Sequence, residues 1–459
     1  MPKIAKPYQL ESKAALLNGT SMLADQAGLG KTYTTLLTIE EYGSPLPTLM
    51  IGTSISLGVW KREYLEMDPG AFVLMLTAKN VDEVAGPYDL VVVSMDLVGR
   101  TKKVAAALRS RRWGVMGIDE CHNMSGHESL RTQAALVGDD PIGAYADKIV
   151  LLTGTPTRTH AGNLWPLVKG TQPERLKGRS YTEFTERFCT HKMRQFKTRN
   201  GGVREERVIK GTNMKRVEEL KRDLDGWWIR HLKKDVLQEL DEKIHSVIPV
   251  EVHELKAVEQ LAASEEGQLL QEVLNTRDFR AMEDMDAQMS RLQRLLGMIK
   301  AEAGAKYAIE KIGEDEKDCA LVWYRHREVG DILQRVMEKA GLFVPRIDGS
   351  TPQSKRTDIE EAFQRGTKPT AALLQIKAAG ESLTLTRATR NIFVEASWVP
   401  SENSQASDRL HRLNQTRGVL CDYLAVAGSV DEMLLEIVRR RTEEAEALEA
   451  GALVKRKTK

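Results

Sequence analysis

The sequence predicts an α/β protein of two successive halves, each a mostly parallel sheet covered by helices, with helical insertions between them. Three observations carry this. Short β-branched and apolar runs alternate with helix-compatible stretches over residues 20–155 and again over 319–426. The first half opens on a glycine-rich loop between an apolar strand and a helix, Leu23-Ala24-Asp25-Gln26-Ala27-Gly28-Leu29-Gly30-Lys31-Thr32. At 459 residues the chain is also too long for one ordinary core.

In the first half, Gly28 and Gly30 leave the loop backbone free of side chains, so successive N–H groups can turn inward on phosphate oxygens. Lys31 reaches the β- and γ-phosphates as a point charge, and the Thr32 hydroxyl suits the Mg²⁺ bridging them. The general pattern has glycine where this chain has Asp25. Upstream, Lys6-Pro7-Tyr8-Gln9 stands at a distance that lets Gln9 fold back over the pocket, its amide matched to the donor and acceptor edge of adenine.

A helix is expected from Thr32 to about Glu41, where Pro45 and Pro47 close it. Strands follow over 48–53, 71–76, 90–94, 114–118 and 148–153. In such sheets ligands sit at the carboxyl ends of the strands, and the glycine-rich loop, Thr53-Ser54, Ser94, Asp119 and Thr153 all fall at such ends. An acidic pair on a solvated face would mean little. At the end of a buried strand, Asp119 can hold Mg²⁺ and Glu120 can accept a proton from an attacking water. The turn Thr153-Gly154-Thr155-Pro156 is placed to sense the γ-phosphate.

From about 161 to 240 the chain is richer in basic residues and poorer in strands. Lys192, Arg194, Lys197, Arg199, Arg204, Arg207 and Lys210 form either a surface for a phosphate backbone or a solvated insertion. Residues 255–303 read as long amphipathic helices. In the second half strands are expected over 319–324, 342–347, 371–376, 391–395 and 420–426. This half has no phosphate loop. A helix over Gln405-Ala406-Ser407-Asp408-Arg409-Leu410-His411-Arg412 would place Arg409 and Arg412 on one face, two guanidiniums suited to a phosphate transition state.

Composition, 41% hydrophobic and 29% charged, is that of a globular protein, and the net charge of +2 leaves any nucleic-acid affinity to local clusters. No apolar run approaches membrane-spanning length and residues 1–10 lack a secretory layout, so an intracellular, cytoplasmic protein is expected, without membrane contact. Cys121, Cys189, Cys319 and Cys421 are scattered without C-x-x-C spacing, which predicts reduced thiols; Cys189 and His191 have no second pair nearby, so no zinc is expected.

Taken in order, these stretches resemble the motif set of superfamily-two helicases, and in detail the Swi/Snf family of double-stranded-DNA translocases. Lys6 to Gln9 looks like that family's adenine motif and Asp25 to Thr32 its phosphate loop, where Asp25 is the family's habit; Gln26-Ala27 replaces the usual Glu-Met, a departure expected to matter little. Asp119, Glu120 and His122 match the D-E-x-H box. Thr153 to Pro156 matches the third motif, with Leu164-Trp165 downstream. Residues Ile229 to Val236 resemble the signature where the chain crosses between lobes. In the second half Ile347 to Thr351, Ala378 to Leu385 and Gln405 to Gln415 resemble the later motifs, with Glu381 and Ser382 as loose matches. Gly162 to Pro166 and Phe184 to Cys189 point within the family to the annealing-helicase, fork-remodelling branch, and the chain looks like a bare motor of bacterial or bacteriophage type.

The resemblance implies two RecA-like lobes: the first over 1–235 with a basic insertion near 170–235, the second over 236–430 with leading helices near 255–303, then a C-terminal helix and basic tail over 431–459. It implies a DNA-dependent ATPase using ATP with Mg²⁺ and tracking double-stranded DNA, with a protein recruiter undefined. Lys31, Glu120, Arg409 and Arg412 would be catalytic, Gln9, Asp25, Gly28, Gly30, Lys31 and Thr32 would bind ATP, and Thr32 and Asp119 would hold Mg²⁺. His122, Thr153, Gly154, Thr155, Gly380 and Gln405 would couple hydrolysis to movement; Thr53, Ser54, Ser94, Lys377 and Ser382 would touch DNA. Two rivals stand beside this: a strand-separating DNA or RNA helicase, which needs a wedge that the sequence does not reveal, and a DNA-binding subunit that has kept the fold without the chemistry.

Overall fold

In the computed structural model, the described residues are 4–54, 56–156, 160–197, 203–236, 243–252, 286–313, 319–379, 385–397, 399–411, 417–429 and 431–436, with isolated positions between them. They divide between Val236 and Leu237 into two compact units.

The first unit carries β1 (Met22–Leu23), β2 (Thr48–Gly52), β3 (Val73–Met75), β4 (Leu90–Ser94), β5 (Trp113–Ile118), β6 (Ala146–Leu152), β7 (Cys189–Lys197), β8 (Val203–Thr212) and β9 (Trp228–Ile229). Seven of these form one sheet in the order β3-β4-β2-β5-β6-β1-β9, with every pair parallel. The apolar runs are continuous because both faces are covered. Alternate residues divide between two cores: Leu49, Ile51, Val91, Val93, Met116 and Ile118 enter one, while Met50, Leu90, Val92 and Val115 enter the other. Burying each such side chain contributes about 1.5–3 kcal/mol, which fixes the register and so places the strand ends along one edge.

The second unit carries β10 (Ile244–Val250), β11 (Cys319–Tyr324), β12 (Arg346–Ile347), β13 (Thr370–Gln375), β14 (Arg390–Phe393) and β15 (Leu420–Val426), in the order β10-β15-β14-β11-β13-β12, again all parallel. Ala320, Val322 and Tyr324 of β11 pack on one face and Cys319, Leu321 and Trp323 on the other.

The structure departs from the sequence reading at several places. The basic stretch after residue 188 is an antiparallel ribbon, β7 paired with β8, with a bulge at Thr190/His191. Its Lys, Arg and Glu residues, poor strand formers, hide the alternation. The edge strands β9 and β10 were also not expected; β9 is two residues long, too short for any period. The long helix spans Asp286–Gly313, running beyond the expected limit at 303, and most of 253–285 lies outside the described residues. The helix expected to carry Gln405 to Arg412 ends sooner. It covers Pro400–Ser407, with Asp408 closing it in αR geometry, so Arg409 lies in the following turn and Arg412 lies outside the described residues. Residues 439–459, the end of the expected C-terminal helix and its tail, also lie outside them. Among the described residues no helix is long and apolar enough to cross a membrane.

Candidate nucleotide site

The site grows from the carboxyl ends of β1, β5 and β6, which are neighbours or near-neighbours in the first sheet. After β1 the chain turns through Gly28 (φ 88°) and Gly30 (φ 76°), both in the left-handed region that a side chain would strain. Gly30 caps a helix over Lys31–Tyr42. The first N–H groups of such a helix have no partner within it and face the concavity of the loop, an arrangement that favours anions.

Lys31 lies across the loop, its Nζ donating to the Asp25 carbonyl at 2.8 Å. A Cβ on Gly154 would stand 3.3 Å from the Ala27 nitrogen and 3.6 Å from the Lys31 Nζ, so the turn after β6 lies directly against the loop. Gln9 folds back as expected of its position: its Nε2 donates to the Leu29 carbonyl at 3.1 Å and its Oε1 accepts from the Lys6 N–H at 2.9 Å. The Tyr8 hydroxyl donates to the same Leu29 carbonyl at 3.0 Å. Each amide group of Gln9 therefore keeps one further hydrogen-bonding position.

Asp25 does not face the loop's concavity. It is fully buried, and its carboxylate accepts from the His231 N–H at 2.8 Å and from the Ser12 hydroxyl at 3.3 Å. Gln26 likewise turns to the segment that holds His231, its Oε1 accepting from the Lys233 N–H at 2.8 Å.

At the end of β5, Asp119 accepts from the Trp60 indole N–H at 3.0 Å and from the Glu120 N–H at 3.0 Å. Burial and the neighbouring Glu120 hold its carboxyl above the usual carboxylate range, opposed by the Trp60 hydrogen bond and the Lys31 charge. A desolvated acid of this kind favours a cation beside it, and carboxylate and hydroxyl oxygens such as those of Asp119 and Thr32 are the hard donors that Mg²⁺ takes. Glu120 sits at φ 49°, one of two non-glycine residues with positive φ among the described residues. Its carboxylate lies 3.2 Å from His122 Nδ1, which is 3.0 Å from the Thr153 hydroxyl at the end of β6; that hydroxyl accepts from the Thr155 N–H at 3.0 Å. Glu120, His122, Thr153 and Thr155 thus form a continuous polar line joining two strand ends.

Ser94 is occupied as a helix N-cap, accepting from the Leu97 N–H at 3.2 Å, and the Thr53 hydroxyl accepts weakly from Ser56 at 3.4 Å, while Ser54 is exposed. In the second unit Lys377 is exposed, Gln405 lies half-buried on the helix 400–407, and Arg409 is buried with Nη1 3.5 Å from the Leu383 carbonyl. Gly380 and Ser382 lie outside the described residues. Sequence reasoning missed Trp60, whose spacing from Asp119 carries no signal, and the contacts of Asp25 and Gln26 with residues about two hundred positions away.

Residues 10–302 match the SNF2-related domain and 303–414 the helicase conserved C-terminal domain. The chain is 27% identical over 444 residues to the DNA annealing helicase and endonuclease ZRANB3 of Mus musculus, covering 95% of this chain and 40% of that protein. It is 26% identical over 452 residues to the SWI/SNF-related matrix-associated actin-dependent regulator of chromatin subfamily A-like protein 1 of Drosophila melanogaster, covering 96% of this chain and 56% of that one. It is 25% identical over 471 residues to the transcription regulatory protein SNF2 of Saccharomyces cerevisiae, covering 95% and 27%. The chain thus spans well under two thirds of the length of each of these relatives. The SWI2/SNF2 ATPase core of Sulfolobus solfataricus in complex with dsDNA aligns with a TM-score of 0.45 at 21% identity, over 98% of this chain and 93% of that one.

Proposed function

The chain belongs to the SNF2-related family of helicase-type ATPases, and on that premise we propose that it hydrolyses ATP to drive movement on, or remodelling of, double-stranded DNA. The observation that carries the reading is the polar line from Glu120 through His122 to Thr153 and Thr155, beside the loop that holds Lys31. It supplies a base for an attacking water and ties that base to the turn that borders the loop.

In this reading the loop amides and Lys31 bind the phosphates, and Gln9 offers its remaining donor and acceptor to the adenine edge. Bound at Thr32 and Asp119, Mg²⁺ would neutralise charge on the β- and γ-phosphates. Glu120 orients and deprotonates water for in-line attack, and its contact with His122 shifts when the γ-phosphate is lost. Arg409 and Arg412 supply positive charge to the phosphate in flight. Thr53, Ser54, Ser94, Lys377 and Ser382 are assigned to the DNA backbone, where contacts independent of sequence suit a motor that must not halt at preferred sites.

Steady-state ATP hydrolysis without nucleic acid and with single-stranded DNA, duplex DNA or RNA, at fixed low salt, tests this. Strong stimulation by duplex DNA is expected. No hydrolysis under any of these conditions would overturn the enzymatic assignment. Strand separation is a second reading with one observation in its favour, the ribbon β7–β8, which among the described residues pairs with neither sheet; preference for single strands or RNA would support it.

A further inference from the structure

The two residues of the phosphate loop that depart from a plain glycine-rich turn, Asp25 and Gln26, both face residues 227–233. The contacts are continuous. The Ser21 and Met22 N–H groups donate to the Trp227 carbonyl at 2.9 and 3.1 Å, that of Ala24 to Ile229 at 2.8 Å, and that of Gln26 to His231 at 3.0 Å. The ladder of β1 with β9 therefore runs on past its last strand residue into the loop itself. Side chains then close it. Asp25 accepts from both the backbone N–H and the ring Nδ1 of His231, at 2.8 and 2.9 Å, and Gln26 accepts from the Lys233 N–H, at the start of the short helix Lys233–Val236. Val236 is where the first unit ends.

We propose that Gln26 and His231 are positioning residues that clamp the phosphate loop to the segment by which the chain leaves the first unit, so that loop geometry and the course of residues 229–236 are set together. The proposal rests on that loop being the nucleotide site. Its consequence is reciprocal: occupation of the loop biases the exit segment, and whatever displaces the segment changes nucleotide affinity by the same factor. Neither residue touches the phosphates; each acts through the backbone that does.

His231 gives the clamp a signature that mere packing lacks. It is faced by Asp25 from the loop and, from the helix Pro7–Leu17, by Glu11 at 3.4 Å and the Tyr8 ring at 5.7 Å, with the Ser12 hydroxyl 3.3 Å from Nδ1. Burial pulls its pKa down, but Asp25 and Glu11 outweigh burial and leave it above the usual histidine value. The charged form is therefore favoured in the clamp. Its contribution is full below the ordinary histidine range and declines as pH rises through the elevated value. The decline is partial, because neutral imidazole keeps one N–H for Asp25.

The test uses the full chain and its variants His231→Ala, His231→Arg and Gln26→Ala, reading direct binding of mant-ATP by fluorescence and the KM and kcat for ATP, with and without duplex DNA, between about pH 6 and pH 8. His231→Ala is expected to weaken mant-ATP binding about tenfold, to raise KM by more than it changes kcat, and to reduce the effect of DNA on KM. Gln26→Ala is expected to do the same several-fold. His231→Arg, which keeps a cationic donor toward Asp25, should restore affinity and remove the fall that the wild type shows toward higher pH. Alanine variants that bind mant-ATP as tightly as wild type would overturn the clamp. A wild-type chain that binds mant-ATP without hydrolysing ATP would sink the motor reading and leave the clamp standing; one that does not bind it would remove both. If His231→Ala fails to fold, Gln26→Ala, which removes one hydrogen bond at a half-buried position, decides the matter.

Discussion

Glu120 holds a left-handed backbone, φ 49° and ψ 47°, directly after the buried strand β5. Such a conformation costs on the order of 1–3 kcal/mol in a residue with a side chain. It persists because the flanking residues are fixed: Ile118 in the core, and Cys121 and His122 buried after it. The strain turns the carboxylate toward His122 and the β6 turn. Glu120→Gln preserves size and backbone while removing the base, so hydrolysis should fall about 10²–10⁴-fold, with DNA binding, read by fluorescence anisotropy, largely retained. Wild-type turnover in this variant would remove Glu120 from the mechanism. Lys31→Ala should abolish hydrolysis as well, through loss of phosphate binding, and is distinguished by mant-ATP affinity. The acid pair, the lysine and the glycines were legible in the sequence because their chemistry is local. The direction of the Asp25 side chain was not, since its partner His231 is far away in the chain.

At the level of elements, the second unit shows how a helix is fastened to a sheet. Lys300, on the long helix Asp286–Gly313, is 3% exposed and donates to the Leu424 carbonyl of β15 at 2.6 Å and to Asp431 at 2.7 Å. Asp431 is 1% exposed and also accepts from the Val426 N–H at 3.0 Å. Burying a matched pair is close to neutral, but removing one partner strands the other charge. Asp431→Ala is therefore expected to destabilise the second unit by about 3–5 kcal/mol, measured as a shift in its urea unfolding transition, whereas a change within about 0.5 kcal/mol would show that the pair is solvated. The parallel strands of both sheets were readable as apolar runs. The end of the helix 400–407 was not, because a partner of its last residues is Lys243, which lies far back in the chain and whose Nζ is 2.9 Å from Ser407 and 3.0 Å from Asp408.

Across the whole molecule the net charge is only +2, so affinity for a polyanion is set by where basic residues gather. The ribbon β7–β8 gathers several, with Lys192 at the register position of Val208 and Met193 at that of Arg207. Replacing Lys192 and Arg207 together by alanine should lower the slope of log affinity for duplex DNA against log salt by about 1–2, read by anisotropy across a salt series, and leave mant-ATP affinity alone. An unchanged slope would mean that the ribbon is a solvated insertion. The sequence by itself determined two parallel α/β sheets and the chemistry of the nucleotide loop and acid pair, because apolar periodicity and short motifs are written in contiguous residues. Only the tertiary structure decided that the basic stretch is a ribbon, that Trp60 steadies Asp119, and that Asp25 and Gln26 bind the exit segment. Each of these depends on hydrogen bonds between residues distant in the chain, and no local pattern encodes which of many polar side chains will meet once the sheet has closed.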